Sequence, residues 1–123
     1  MRSIVLGAAL LLAACGQTSA PTLARGSVLP PVELRVADFR ITPAEIRVAS
    51  AGAVSFAVTN DGPTPHNLTI RDAAGKVLLG TPELRPGATG VVAGELAAGS
   101  YIAFCSLPGH ESLGMRAVVI VGP

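Results

Sequence analysis

Between Tyr101 and Met115 the chain reads YIAFCSLPGHESLGM, presenting Cys105, His110 and Met115 in a C-x4-H-x4-M spacing. A thiolate is a soft anionic ligand, an imidazole is borderline, and a thioether is soft and weak. Copper moving between Cu(I) and Cu(II) accepts all three kinds, and two imidazoles with a thiolate in one plane, plus a distant thioether, suit it well. A second imidazole has one source, His66 in TPHNLTI, because the chain holds only two histidines. Taken singly, each residue has an ordinary structural role: a surface His, a Met filling a core gap, a small buried Cys. Their joint spacing favours the metal-ligand reading. Two histidines cannot serve a second metal centre as well, and a single cysteine in this loop excludes a binuclear copper site.

With Tyr101, Cys105-Ser106, Pro108-Gly109-His110, Gly114-Met115 and the upstream His66-Asn67, the chain resembles the cupredoxins, the type 1 blue-copper proteins, from about Val32 onward. The loop lengths are most similar to those of rusticyanin and auracyanin, while Ala117 departs from the Gly that many relatives carry. This resemblance implies a Greek-key β-sandwich. It implies one type 1 copper held by His66, Cys105, His110 and Met115, in a one-electron carrier rather than an enzyme. It also implies that the Asn67 side chain ties the two ligand loops together, with Ser106 at the other end. Pro108 has no N–H to offer the sulfur, so a fairly high midpoint potential is expected. Redox partner proteins, such as a cytochrome or an oxidase, are expected to dock on an apolar patch around His110. Leu107, Pro108 and Leu113 form that patch, with Pro63 and Pro65 nearby. Neither a small-molecule substrate nor a stable oligomer is expected. The alternative function is a copper chaperone or store delivering to an oxidase, a role that tends to use open sites rich in Met and His. Glu111, the only charge inside the ligand loop, is expected to face water, and Tyr101 to fill the core.

The elements that must hold these residues read as short strands. Val32 to Val36 alternates apolar and polar residues, and Ile46 and Val48 begin a second strand after the turn signal at Thr42-Pro43. Ala53 to Thr59 puts Val54, Phe56 and Val58 on one face and ends at the turn Asn60-Asp61-Gly62-Pro63. Leu68 and Ile70, Val77 to Leu79, Thr89 to Leu96, Gly99 to Cys105 and Met115 to Val121 complete the set. About seven or eight strands without a good amphipathic helix predict an all-β sandwich or barrel. An immunoglobulin-like domain often carries an inter-sheet disulfide and a core Trp, and this chain has neither a spare Cys pair nor any Trp. On this reading Cys105 ends one strand and Met115 starts the next, with His110 on the loop between them.

Composition sets the outer limits. The 123 residues suffice for one small domain. A net charge of +1, 14% charged residues and 3% aromatics leave no basic stripe or stacking platform for nucleic acid. Arg2, the apolar run from Ile4 to Leu12 and the ending Leu12-Ala13-Ala14-Cys15 describe an export signal over residues 1–14. That run is far shorter than the ~20 residues that span a bilayer. The L-A-A-C ending resembles a bacterial lipobox, which implies lipidation of Cys15 and a cell-envelope lipoprotein facing the periplasm or extracytoplasmic space. Residues 15–31 then read as a Pro- and Gly-containing tether, and 32–123 as the domain. Cleavage removes Met1, so the mature chain keeps one free thiol, two histidines and one methionine, all within the ligand set. An unpaired cysteine in an exported chain points to a reactive or metal-bound thiol.

Overall fold

A computed structural model describes residues 29–123; the signal, Cys15 and most of the tether lie outside the described residues. Alternation along the strands decides which faces pair. In β1 (Val32–Ala37) Leu34 and Val36 are buried while Glu33 and Arg35 face outward. In β9 (Arg116–Val121) Ala117, Val119 and Val121 are buried and Arg116 and Val118 are exposed. Side chains two apart share a face of a strand, so each strand gives one row to the core. Between them in the chain run β2 (Arg40–Thr42), β3 (Glu45–Val48), β4 (Gly52–Asn60), β5 (Thr69–Arg71), β6 (Val77–Gly80), β7 (Thr89–Leu96) and β8 (Gly99–Phe104).

The strands form two sheets, ordered β2-β1-β4-β7 and β3-β9-β8-β5-β6. β1 runs parallel to β4 and β3 parallel to β9, and the remaining pairs are antiparallel. The inner faces meet in one core around Phe56, Leu34, Ile46, Leu68, Ile70 and Val119, all essentially without solvent contact. The fold is the all-β sandwich expected from the strand pattern, with nine strands among the described residues rather than seven or eight. The extra one is β2, three residues of which only Ile41 is buried, too short to show a period. It follows β1 through the two-residue turn Asp38-Phe39, where Phe39 takes φ 58°. A turn of this kind usually advertises itself by Asn-Gly or Asp-Gly, and this one does not.

Strand directions carry four connections to one pole: the β1–β2 turn, residues 61–68 between β4 and β5, 81–88 between β6 and β7, and 105–115 between β8 and β9. Hydrogen bonds knit them together. Asp61 N–H donates to the Val36 carbonyl (2.9 Å), and His66 and Leu84 exchange backbone hydrogen bonds of 3.1 and 2.7 Å. The core cluster runs up into this pole and ends on Cys105 and Met115.

Candidate metal centre

Cys105 directly follows β8 and Met115 directly precedes β9, one step beyond the last ladder pair, Phe104 with Arg116. The Cys105 N–H donates to the Met115 carbonyl (3.2 Å), so the two residues are fixed by the sheet rather than by the loop. The loop between them coils: His110 N–H reaches the Leu107 carbonyl (3.1 Å), Gly114 N–H the Glu111 carbonyl (2.9 Å) and Met115 N–H the His110 carbonyl (3.1 Å). Gly114, at φ 102°, supplies the left-handed backbone that returns the chain to β9.

His66 comes from the other side and is fully buried, held by its backbone pairing with Leu84. Its loop is organised by Asn60, also fully buried, whose Nδ2 donates to the carbonyls of Thr64 (2.8 Å) and Leu84 (2.9 Å) while its Oδ1 accepts from Gly62 N–H (2.9 Å). Gly62 passes close to the β1–β2 turn; a Cβ there would lie 3.1 Å from the Ala37 Cα and 3.2 Å from the Asp38 backbone nitrogen. That contact brings the His66 loop against the hairpin.

The ligand-type atoms of His66, Cys105 and His110 all lie within 4.8 Å of one another. His66 Nδ1 is 3.1 Å from His110 Nδ1, and Cys105 Sγ is 3.5 Å from His110 Nδ1. Donors about 2 Å from a shared centre in a trigonal plane stand roughly 3.5 Å apart, so the spacing fits one metal ion, and so does a donor set of two imidazole nitrogens and one sulfur. Met115 is fully buried beside Cys105 and is tied through its backbone to both Cys105 and His110. His110 is partly exposed, and Cys105 and His66 are sealed from water.

Around these donors the two loops are joined by two hydrogen bonds. Asn67 Nδ2 donates to Ser106 Oγ (2.7 Å), and Ser106 N–H donates to Asn67 Oδ1 (2.8 Å). Leu107 is half-buried, Pro108 is exposed and Leu113 is 63% exposed, on the same loop as His110. Pro63 and Pro65 are exposed on the neighbouring loop. Tyr101 packs on the core edge, and its hydroxyl donates to the Ala97 carbonyl (2.7 Å).

Glu111 does not simply face water. Both its oxygens accept from Arg71, at 3.0 and 2.5 Å, and the Arg71 guanidinium lies 4.2 Å from the centre of the Phe104 ring. The ion pair staples the ligand loop to β5, and the hydrogen bonds from Arg71 hold the Glu111 carboxyl below its ordinary range. No local signal marks a pairing forty residues apart.

Further residues shape the site and escape a motif search. Asp38 Oδ1 lies 2.9 Å from His66 Nε2 and accepts from the Thr64 hydroxyl (2.7 Å). The Thr64 hydroxyl, and after it His66, keeps the Asp38 carboxyl below the usual carboxylate range. Phe39 meets His110 edge-on, ring centres 5.5 Å apart at 79°, and remains 42% exposed. Asn60 reads in the sequence only as part of a turn. β2 is what makes Asp38-Phe39 a hairpin turn at this pole.

Comparison with known proteins agrees with the fold. A family model described as a cupredoxin-like domain matches residues 3–121. No curated protein sequence matches at a significant level. Among solved structures, auracyanin from Roseiflexus castenholzii superposes with a TM-score of 0.66 at 19% identity, over 74% of this chain and 95% of that one. An azurin from Methylomonas sp. strain J gives 0.65 at 20% identity, over 74% and 96%. Auracyanin A of Chloroflexus aurantiacus, a "blue" copper protein, gives 0.62 at 18% identity, over 76% and 100%.

Proposed function

The chain belongs to the cupredoxin-like domain family, and from that premise we propose that it is a type 1 copper protein carrying one electron at a time at a membrane surface. The observation that carries the reading is the convergence of His66 Nδ1, His110 Nδ1 and Cys105 Sγ on one point beside the buried Met115. Bound copper supplies a one-electron couple between Cu(II) and Cu(I). The chain's own part is to keep the donors still. Cys105 and Met115 are set by the β8–β9 ladder, and His66 by its pairing with Leu84. Asn67 and Ser106 lock one ligand loop to the other. Rigid elements hold such a constellation more accurately than free loops.

Burial of His66, Cys105 and Met115 excludes water, while the exposed edge of His110 gives the electron a way out. The ground around that edge is apolar: Phe39, Leu107, Pro108 and Leu113. Electron-transfer encounters are small and weak, and an apolar patch suits them. A cytochrome, an oxidase or a similar redox protein would dock there. The role is that of a carrier, not an enzyme. Export, attachment through a lipid on Cys15 and a position outside the cytoplasm are supported by the L-A-A-C ending.

Addition of Cu(II) to the metal-free domain tests the reading. An intense visible thiolate-to-copper band should appear, and Cys105→Ala should abolish it. Voltammetry should then show a reversible one-electron wave. A colourless wild type with only weak surface copper overturns the type 1 site. A blue protein that hands its copper to a metal-free oxidase, yet shows no reversible wave, overturns the carrier in favour of copper delivery.

A further inference from the structure

We propose that Asp38 is a positioning residue for the metal centre, an anionic clamp that fixes the tautomer and ring orientation of His66 and biases the site toward its oxidised form. The inference rests on the copper reading for its second half only. A carboxylate oxygen can only accept, so the 2.9 Å contact between Asp38 Oδ1 and His66 Nε2 requires the proton to be on Nε2. In the neutral ring Nδ1 is then bare, and Nδ1 is the atom 3.1 Å from His110 Nδ1, inside the His66–Cys105–His110 cluster. Carboxylates behind ligand imidazoles fix tautomer and ring orientation and raise ligand basicity.

The clamp is itself held. The Thr64 hydroxyl donates to the same oxygen at 2.7 Å and also lies 3.3 Å from Nε2, so acid, hydroxyl and imidazole form a closed triangle. The turn that carries Asp38 sends Phe39 against His110, so two consecutive residues reach both imidazoles. Asp38 is 38% exposed and His66 not at all, so the carboxylate keeps part of its hydration while its charge acts through the buried ring. A fixed negative charge on the far side of a ligand favours the more positive metal state. Removing it should shift the Cu(I)/Cu(II) ratio at a set potential by about tenfold toward Cu(I), which is ~59 mV in a one-electron couple.

Two variants separate charge from hydrogen bonding. Asp38→Asn keeps an acceptor for Nε2–H and loses the charge; Asp38→Ala loses both. In the metal-free protein, 15N spectra of the imidazoles should show His66 as the Nε2–H tautomer in wild type and in Asp38→Asn, and a tautomer mixture in Asp38→Ala. In the copper-loaded protein both variants should have a raised midpoint potential. A proton on Nδ1 in metal-free wild type, or one tautomer and one potential shared by all three proteins, would overturn the clamp. If the wild type takes up no blue copper, the electron-carrier reading fails, and the tautomer comparison still decides the role of Asp38 on its own.

Discussion

Asn67→Ala and Ser106→Ala remove opposite ends of the same tie, and the geometry makes their costs unequal. The Asn67 amide makes two hydrogen bonds, one to the Ser106 hydroxyl and one from the Ser106 backbone N–H. Its removal loses both, and at about 1 kcal/mol net per bond the loss is about 2 kcal/mol. Ser106→Ala loses only the hydroxyl contact; the backbone N–H still finds Asn67 Oδ1, and the cost is about 0.5–1 kcal/mol. The double variant should be no less stable than Asn67→Ala by more than about 0.3 kcal/mol, because the hydroxyl has no other partner across the tie. Urea denaturation of the metal-free domain measures this as a shift in midpoint at constant slope. With copper bound, both single variants should keep the thiolate band, since neither residue supplies a ligand atom, and Asn67→Ala should release the metal faster. Equal losses from the two single variants, or losses that simply add in the double variant, would refute the tie as the element that joins the loops.

Acid should loosen the ligand loop through Glu111. Its carboxyl is held below the ordinary 4.5, first by the hydrogen bonds from Arg71, so its contribution is full above that value and is lost as pH falls through the lowered one. Glu111→Gln should flatten the decline in stability below about pH 4.5, and a double-mutant cycle with Arg71→Gln should give a coupling of about 0.5–1 kcal/mol. A pH profile identical to wild type counts against the staple. Leu113→Asp places a charge on the exposed patch beside His110 and should slow electron self-exchange between reduced and oxidised protein about tenfold or more, with the midpoint potential unchanged. Line broadening in mixtures of the two forms reads the rate, and an unaltered rate removes Leu113 from the docking face.

Residues whose role depends on local sequence were the legible part of this molecule. Leu34 and Val36 alternate with Glu33 and Arg35, and the burial of β1 follows that alternation. The eight-residue β7 has the bounds that its pattern suggests, Thr89–Leu96. Cys105, His110 and Met115 lie in one loop, so their spacing can be read directly, and His66 could be paired with them because no other imidazole exists. What escaped depends on contacts between distant strands. Glu111 carries no mark of Arg71, forty residues away, and a lone acid in a polar loop reads as solvated. β2 is three residues long, with one buried side chain to announce it.

β2 matters beyond the strand count. Without its partner, Asp38-Phe39 is simply the end of β1, and nothing directs either side chain toward a site 28 residues later in the chain. Once β2 folds back along β1, the turn is pinned at the pole where Asn60 and Gly62 shape the His66 loop. Parallel pairing of β1 with β4 then matters, because Val36 opposite Asn60 puts the hairpin turn and the His66 loop at the same end of the sheet. The environment of the site is therefore set by strand pairing that a ligand motif does not encode. Chains sharing C-x4-H-x4-M but differing in this turn should differ in how firmly His66 is held, and in their potentials, with their ligands unchanged.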